Sequence, residues 1–200
     1  MNTFDAILAR RAVKSYQTDF TIPDADEKKL FEMARNSPTS FNLQNWRFVV
    51  VKDKALRADI GQAAWGQAQV TEASLLVIGC ADVKAWNKNP ERYWVDAPQQ
   101  VRDTLVPMVR PFYEGREQVQ RDEAMRSVGI AAQTLMLSAK AMGYDSCPMI
   151  GFDADAVGKL INLPADHVVG MMLTIGKAAR PAFQKGGFLP MSEIVIQNRF

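Results

Sequence analysis

Residues 118–142 carry the longest helical pattern of the chain, and the second half of that pattern is apolar on almost every side. Gly143 follows in the left-handed position that commonly ends a helix. A helix with so little polar surface has to be covered on more than one side. The stripe through Ala131, Ala132 and Ala141 is therefore expected either in the core of one chain or between two copies of it. The pattern does not decide between these two positions.

Two other apolar runs, residues 74–81 and 168–176, predict strands buried in a sheet. Because strands and helices alternate along the chain, we expect a layered α+β or α/β domain. The remaining predicted elements are a strand over residues 46–51, helices near the N-terminus, from Asp24 and over residues 54–65, and a short helix from Asp153 to Leu163.

Prolines and capping residues predict where these elements begin and end. Pro107 and Pro111 are expected to break the helical stretch that contains them, since proline removes a helix donor. Residues 147–151 are expected to form a turn. Asp24, with Glu27 three residues later, resembles a capping box at the start of a helix.

The composition excludes several classes of protein. The 24 Lys and Arg are scattered among 22 Asp and Glu for a net charge of +2, so no basic stripe marks a nucleic-acid binder. No run reaches the roughly 18 apolar residues that a membrane span requires. The N-terminus lacks the apolar core of a signal peptide. With Cys80 and Cys147 far apart, a reduced cytoplasmic protein is the simplest expectation.

The chain offers few side chains for demanding chemistry. His167 is the only histidine, and its position before an apolar run favours the edge of a strand. One histidine and two separated cysteines are too few soft ligands for a zinc site, so no metal is expected. We therefore expect an organic cofactor, rather than a catalytic side chain, to carry the reaction.

A cluster of cations follows the first predicted helix at Arg10, Arg11 and Lys14, with Ala12 between them. Guanidinium groups bind phosphate in a bidentate manner, and a cation also stabilises the pyrimidine edge of a flavin. The same arginines could instead complement the carbonyl end of the helix. Their spacing leaves both interpretations open.

Three further segments combine polar groups with turn-forming residues. The uncharged loop over residues 37–46 is dense in amides and hydroxyls that can contact a heteroaromatic ring or a ribityl chain. Residues 65–69 place two glutamines beside Gly66, and residues 148–151 can present free backbone N–H groups. Lys185, Gly186 and Gly187 can form a phosphate-binding nest. Each segment alone is also explained by ordinary turns, helix propensity or a solvated tail.

The order of these segments resembles the FMN-dependent nitroreductase family. The resemblance rests on Arg-Arg-x-x-Lys from Arg10, on Ser-Pro-x-Ser-x-Asn-x-Gln-x-Trp-x-Phe over residues 37–48, and on Pro-x-x-Gly-Phe-Asp from Pro148. It covers nearly the whole chain and is most specific in the middle motif. The tail over residues 189–195 resembles the family's closing segment, which embraces the partner subunit.

The resemblance implies one α+β domain over residues 1–200, with a central mixed or antiparallel sheet flanked by helices, in an intertwined homodimer whose tail, residues 177–200, extends over the partner. It implies FMN in two interface sites, NADPH or NADH as co-substrate, and small-molecule acceptors. The implied cofactor-binding residues are Arg10, Arg11, Ala12, Lys14, Thr39, Ser40, Asn42, Gln44, Gln69, Pro148, Met149, Ile150, Gly151, Lys185 and Gly187, with Lys177 and Arg180 as further candidates for the phosphate.

Within this set, the resemblance places Thr39, Ser40 and Asn42 at the flavin of the other subunit and the backbone N–H groups of Ile150 and Gly151 at its N5 atom.

The chain departs from better-known members at three places. Ile150 replaces a frequent Glu that orients the nicotinamide, and Gly66 replaces a frequent Asn, so that a pyrimidine contact passes to Gln67 or Gln69. The tail also lacks the usual Lys-x-Arg. A ping-pong reduction of nitroaromatics, quinones or similar acceptors is the leading hypothesis. A flavin-binding sensor with little turnover is the alternative, and a flavin-free interaction protein is a third possibility.

Overall fold

The computed structural model describes all residues 1–200. Its four strands are β1 (Trp46–Val50), β2 (Leu75–Asp82), β3 (Asp145–Met149) and β4 (His167–Gly176). Its eight helices are α1 (Thr3–Ala9), α2 (Asp24–Ala34), α3 (Lys54–Ala63), α4 (Gln69–Glu72), α5 (Gln99–Tyr113), α6 (Glu117–Ala141), α7 (Ala154–Leu160) and α8 (Met191–Ile194).

The strands form one antiparallel sheet in the order β1-β2-β4-β3. The two long apolar runs are its central strands, and β2 is buried along its whole length. Successive side chains of a strand point to opposite faces. Accordingly, Leu75 and Val77 pack in the cluster that contains Leu135 of α6, whereas Leu76 and Ile78 pack in the opposite cluster with residues of α3 and α7. The expected α+β fold with a central antiparallel sheet is confirmed.

Helix α6 crosses the sheet and also packs against α1 and α2. Ala131 and Ala132 are buried within the chain, so core packing accounts for the middle of the apolar helix. Ala141 is exposed, and Ile130 keeps 43% of its surface accessible. The part of this helix that could meet another copy is therefore smaller than its sequence suggests.

Two glycines allow α6 to approach the sheet at Val128. A Cβ on Gly79 would lie 3.1 Å from Val128 Cγ1, and one on Gly170 would lie 3.0 Å from the same atom and 3.1 Å from the Gly79 carbonyl oxygen. The pairing of β2 with β4 shifts register between Gly79 and Cys80, so that Gly170 is passed over in a bulge. The bulge and the absence of side chains at both glycines together let α6 pack closely against the sheet.

Gly170→Ala is therefore expected to lower the free energy of unfolding by about 1–3 kcal/mol, because the new methyl group overpacks a contact that includes backbone atoms. Equilibrium unfolding in urea measures this change. Gly129→Ala is the matched control, since its Cβ would meet nothing within 4 Å and α6 gains helix propensity. Equal stabilities of the two variants would contradict the close packing of α6 at Gly170.

Two expectations about proline are wrong. Helix α5 runs through Pro107 and Pro111 without ending. Both prolines are exposed, as is Asp103, so the carbonyl groups that lose their helix donors can be hydrated. The expected turn over residues 147–151 is instead largely strand β3, which contains Pro148. Because β3 is an edge strand, it tolerates a residue without an N–H group.

Two helix ends also differ from expectation. Pro23, not Asp24, is the N-cap of α2, and no side chain caps that helix. Helix α3 ends at Ala63 and leaves Trp65 outside it in a left-handed conformation. Asn2 and Asp153 cap α1 and α7 through their side chains, and Asp153 is the residue at which the sequence predicts the start of α7. No helix of the structure is both long and apolar enough to cross a membrane.

Candidate functional site

The basic corner after α1 is fastened to β3. Arg10 is the C-cap of the helix, and the next residues leave it in extended conformation. The Val13 N–H donates to the Ser146 carbonyl oxygen at 3.1 Å, and Ala12 forms an isolated bridge with the same residue. One Arg11 nitrogen, Nη1, donates to the carbonyl oxygens of Leu8 at 2.6 Å and Arg10 at 3.0 Å. Arg11 thus complements its own helix end, as one of the two interpretations predicts.

Lys14 lies close to Cys147 of β3, because the preceding residues Ala12 and Val13 pair with Ser146. Burial raises the pKa of the Cys147 thiol, while the positive charges of Lys14 and Arg10 act in the opposite direction. The sequence gives no sign of this proximity, because the cations and the thiol are more than 130 residues apart. The contact places the predicted cation cluster against the strand that leads to Ile150 and Gly151.

A cavity of about 480 Å³ opens at this corner, between Lys14 and Ala68 on one side and Arg180 and Phe183 of the tail on the other. Glu72 also lines it and accepts a hydrogen bond from the Tyr16 N–H at 3.0 Å. Two clefts of about 700 and 720 Å³ lie elsewhere on the surface. Neither contains a predicted site residue, so the smaller cavity is the better candidate for the site.

A chain of amides links Gln69 to the turn after β3. Gln69 is buried, and its Nε2 donates to Gln67 Oε1 at 3.0 Å. Gln67 Nε2 in turn donates to the carbonyl oxygens of Gly151 at 2.6 Å and Ala64 at 3.1 Å. Gln67 is therefore fully engaged within the chain. Gln67 and Gln69 are the two candidates for the pyrimidine contact, and of these Gln69 keeps an amide hydrogen and its Oε1 for a ligand.

The turn itself presents free donors. The N–H groups of Ile150 and Gly151 make no hydrogen bond within the chain. Ile150 is 81% exposed, whereas the Met149 side chain is buried in the core. The Asp153 N–H donates to the Ala63 carbonyl oxygen at 2.9 Å, which fixes the turn to the end of α3. Any contact from Met149 to a cofactor would therefore come from its backbone.

The polar loop before β1 has a strained backbone. Phe41 and Gln44 adopt φ values of 51° and 46°, which residues other than glycine and asparagine rarely adopt, and Asn42 between them has a φ of 53°. Thr39 Oγ1 accepts from the Gln44 N–H at 3.0 Å. The Ser40 N–H donates to Glu123 Oε1 at 3.2 Å. Asn42 Nδ2 donates to the Tyr93 carbonyl oxygen at 2.6 Å, which leaves its Oδ1 free.

This loop and the turn at Gly151 belong to opposite edges of the sheet. The loop precedes β1 and the turn follows β3, with two strands between them. Three strand spacings amount to roughly 14 Å. One chain therefore brings together the basic corner, Gln69 and the turn, but it does not bring Thr39, Ser40, Asn42 and Gln44 to them.

The cations of the tail also differ in position, and only one of them lines the cavity. Arg180 lines the cavity with Lys14, but Lys185 and Gly187 do not. Lys185 Nζ lies 5.0 Å from the centre of the Phe188 ring. Lys177 Nζ donates to the Gly143 carbonyl oxygen and lies 4.9 Å from the centre of the Tyr144 ring. Arg180 is thus the tail residue that its position favours for a phosphate.

The chain is similar to several known proteins along most of its length. The Nitroreductase family model matches residues 7–177. The protein DrgA of Synechocystis sp. is 53% identical over 182 residues, which cover 91% of this chain and 87% of that one. YodC of Bacillus subtilis (strain 168), whose name assigns it provisionally to the NAD(P)H nitroreductases, is 34% identical over 199 residues, with 96% and 97% covered.

A crystal structure of an Exiguobacterium sibiricum protein in complex with FMN superposes with a TM-score of 0.90 at 29% identity. The superposition covers 99% of this chain and 98% of that one.

Proposed function

Because the chain belongs to the nitroreductase family, we propose that it is an FMN-dependent oxidoreductase that uses NAD(P)H to reduce nitroaromatics, quinones or similar electron-poor acceptors. The observation that carries the proposal is the meeting of three donor types at one corner. These are the cations Arg10 and Lys14, the amide of Gln69 and the free N–H groups of the turn at Gly151. The FMN-bound relative of the same fold supports the choice of cofactor.

These residues match the groups of FMN in kind. The phosphate would be held by cations, for which Lys14, Arg10 and Arg180 are available. The pyrimidine edge, which carries carbonyl and N–H groups, would meet the amide of Gln69. The Gly151 N–H would donate to N5. Bound FMN would supply the two-electron redox chemistry between NAD(P)H and the acceptor.

The protein's own part is orientation and electrostatics. Lys14 stabilises negative charge at the site, and the turn stays in place because Gln67 and Asp153 tie it to α3. No side-chain acid is required of the chain, because solvent can supply the proton that the acceptor gains. In the overall reaction NAD(P)H and one solvent proton convert a quinone to its hydroquinone.

A second copy of the chain would complete the site. The loop with Thr39, Ser40 and Asn42 is out of reach within one chain, and a homodimer supplies it from the partner. The tail after Ala182 supports this arrangement, because its large apolar side chains are exposed and need a cover. They are Phe183, Phe188, Leu189, Met191, Ile194, Val195, Ile196 and Phe200.

Removal of residues 183–200 is expected to convert a dimer, of twice the 22.3 kDa chain mass, into monomers that bind FMN weakly. The truncation leaves Ala178 and Ala182 in their contact with Val13 and Tyr16, so the body of the fold is kept. Light scattering measures the mass, and circular dichroism controls for folding. A full-length monomer that holds FMN tightly would contradict the two-chain site.

An anaerobic titration of the FMN-loaded protein with NADH and with NADPH tests the proposed activity. We expect rapid bleaching of the flavin by at least one of them, followed by reoxidation with quinones and nitroaromatics. The alternative of a low-turnover sensor is motivated by Ile150, an exposed apolar side chain that cannot orient a carboxamide by hydrogen bonding. Bleaching that takes many minutes at saturating nicotinamide would favour the sensor.

A further inference from the structure

Three helices of the protein end in the same backbone motif. In each, the N–H of the residue after the C-cap donates to a carbonyl three residues back, and the next N–H donates to a carbonyl five residues back. The residue after the C-cap is left-handed in all three cases. It is Gly143 after α6, Asn162 after α7 and Trp65 after α3, with φ values of 82°, 52° and 57°.

Trp65 is the exception among these three residues. Glycine has no Cβ to clash in the left-handed region, and asparagine tolerates that region, but a bulky aromatic residue there is an outlier. Gly66 follows immediately, so a glycine stands one position away from where the motif favours it. A strained residue that persists is a reason to look for a function.

Core packing does not explain the tryptophan. Trp65 is 70% exposed, whereas Trp46 and Trp86 are buried. Its indole lies against the turn at Gly151, where an added Cβ would be 3.3 Å from Trp65 Cζ3. The neighbouring Ile150 is exposed as well. Trp65 and Ile150 therefore form an apolar ledge beside the free N–H groups of the turn.

The ledge is held rigidly relative to that turn. The Trp65 N–H donates to the Gln62 carbonyl oxygen at 2.9 Å, which fixes the backbone at the end of α3. The turn is tied to the same helix end through Asp153 and Ala63, and Gln67 holds the Gly151 carbonyl. The backbone that carries the indole is thus tied to the same helix end as the N–H groups proposed to face N5.

We propose that Trp65 is a specificity-determining residue that, with Ile150, stacks on the second ring of planar fused-ring acceptors such as naphthoquinones. The inference rests on the proposed function and names the acceptor class within it. An uncharged apolar ledge favours flat, uncharged rings, and a fused second ring offers it more apolar surface than a single-ring acceptor does. Such a naphthoquinone gains two electrons and two protons, which NAD(P)H and one solvent proton supply.

Trp65→Gly tests the inference by two readouts in the FMN-loaded protein. The kcat/KM for 2-methyl-1,4-naphthoquinone should fall about two- to tenfold, the range expected for loss of one aromatic contact, relative to 1,4-benzoquinone. The unfolding temperature should stay the same or rise, because glycine relieves the left-handed strain. Trp65→Phe, which retains a ring, should recover most of the naphthoquinone preference.

Asn162→Gly is the matched control, since it makes the same backbone change at the end of α7, away from the cavity of Lys14 and Arg180. It should leave the ratio of the two quinones unchanged. An unchanged ratio in Trp65→Gly, or a clear fall in its unfolding temperature, would overturn the inference and make Trp65 a structural residue.

A failure of the proposed function would give a different result from a failure of the inference on Trp65. In that case the wild-type flavin would not be bleached by either nicotinamide, whatever residue stands at position 65. The inference would then be judged by the dissociation constant of the naphthoquinone, read from the flavin absorbance spectrum. We expect that constant to rise in Trp65→Gly and not in Asn162→Gly, and equal constants would contradict the ledge.

Discussion

Lys14→Ala is expected to weaken FMN binding about tenfold to a hundredfold, which corresponds to one lost charge-assisted hydrogen bond of about 1.5–3 kcal/mol. Lys14 lines the cavity that Arg180 also lines, and it lies next to Cys147 on the strand leading to the proposed N5 turn. Arg10 remains in the variant, so binding should be weakened and not abolished. Titration of the flavin-free protein with FMN, followed by flavin fluorescence, measures the dissociation constant.

Lys28→Ala is the control for a change of net charge. Lys28 is an exposed residue of α2 whose ion pair with Glu32 is on the surface, so its loss should leave the FMN dissociation constant as it is. An additional test is the rate at which NAD(P)H bleaches the bound flavin, which should fall in Lys14→Ala. If neither affinity nor bleaching rate changes, Lys14 does not belong to the site.

The sequence predicts the elements of this fold well wherever the hydrophobic period is clear. The central strands β2 and β4 and the long helix α6 lie within one or two residues of their predicted bounds. The errors occur where tertiary context overrides a local signal. Pro148 looks like a turn residue, but an edge strand accepts it, and the prolines of α5 are tolerated because the helix is exposed there.

For the candidate site, residue types and their order predict the members but not their arrangement. The Ile150–Gly151 turn, Gln69 and Lys14 do come together in the structure. The sequence could not show that Gln67 is engaged by Gly151 or that Lys14 lies close to Cys147. These contacts depend on the order of strands in the sheet. Periodicity within a segment carries no information about that order.

Asp82 is a further residue whose contacts the local sequence does not predict, and these contacts concern the stability of the fold. Nothing in its local sequence distinguishes this residue, yet its side chain is only 1% exposed and is surrounded by cations. Asp82 Oδ2 lies 3.2 Å from Arg47 Nη2 and 2.8 Å from Lys88 Nζ. Lys88 also reaches Asp166 at 2.6 Å, so its ammonium group already bridges the two carboxylates of the cluster that His167 adjoins.

Asp82→Ala is therefore expected to lower the free energy of unfolding by about 3 kcal/mol, the lower end of the range for removing one member of a buried ion pair. The lower end applies because Arg47 and Lys88 are partly exposed and can recover some hydration. The Lys84 N–H also loses its acceptor, Asp82 Oδ1, at 3.1 Å. Equilibrium unfolding in urea gives the difference between variant and wild type.

Lys88→Met is the informative comparison, because it removes one cation and leaves Asp82 paired with Arg47. Its loss of stability should be smaller than that of Asp82→Ala. If Asp82→Ala unfolds like the wild type, the two cations are stable without their shared carboxylate. In that case the ion pairs of Asp82 do not contribute to the free energy of unfolding.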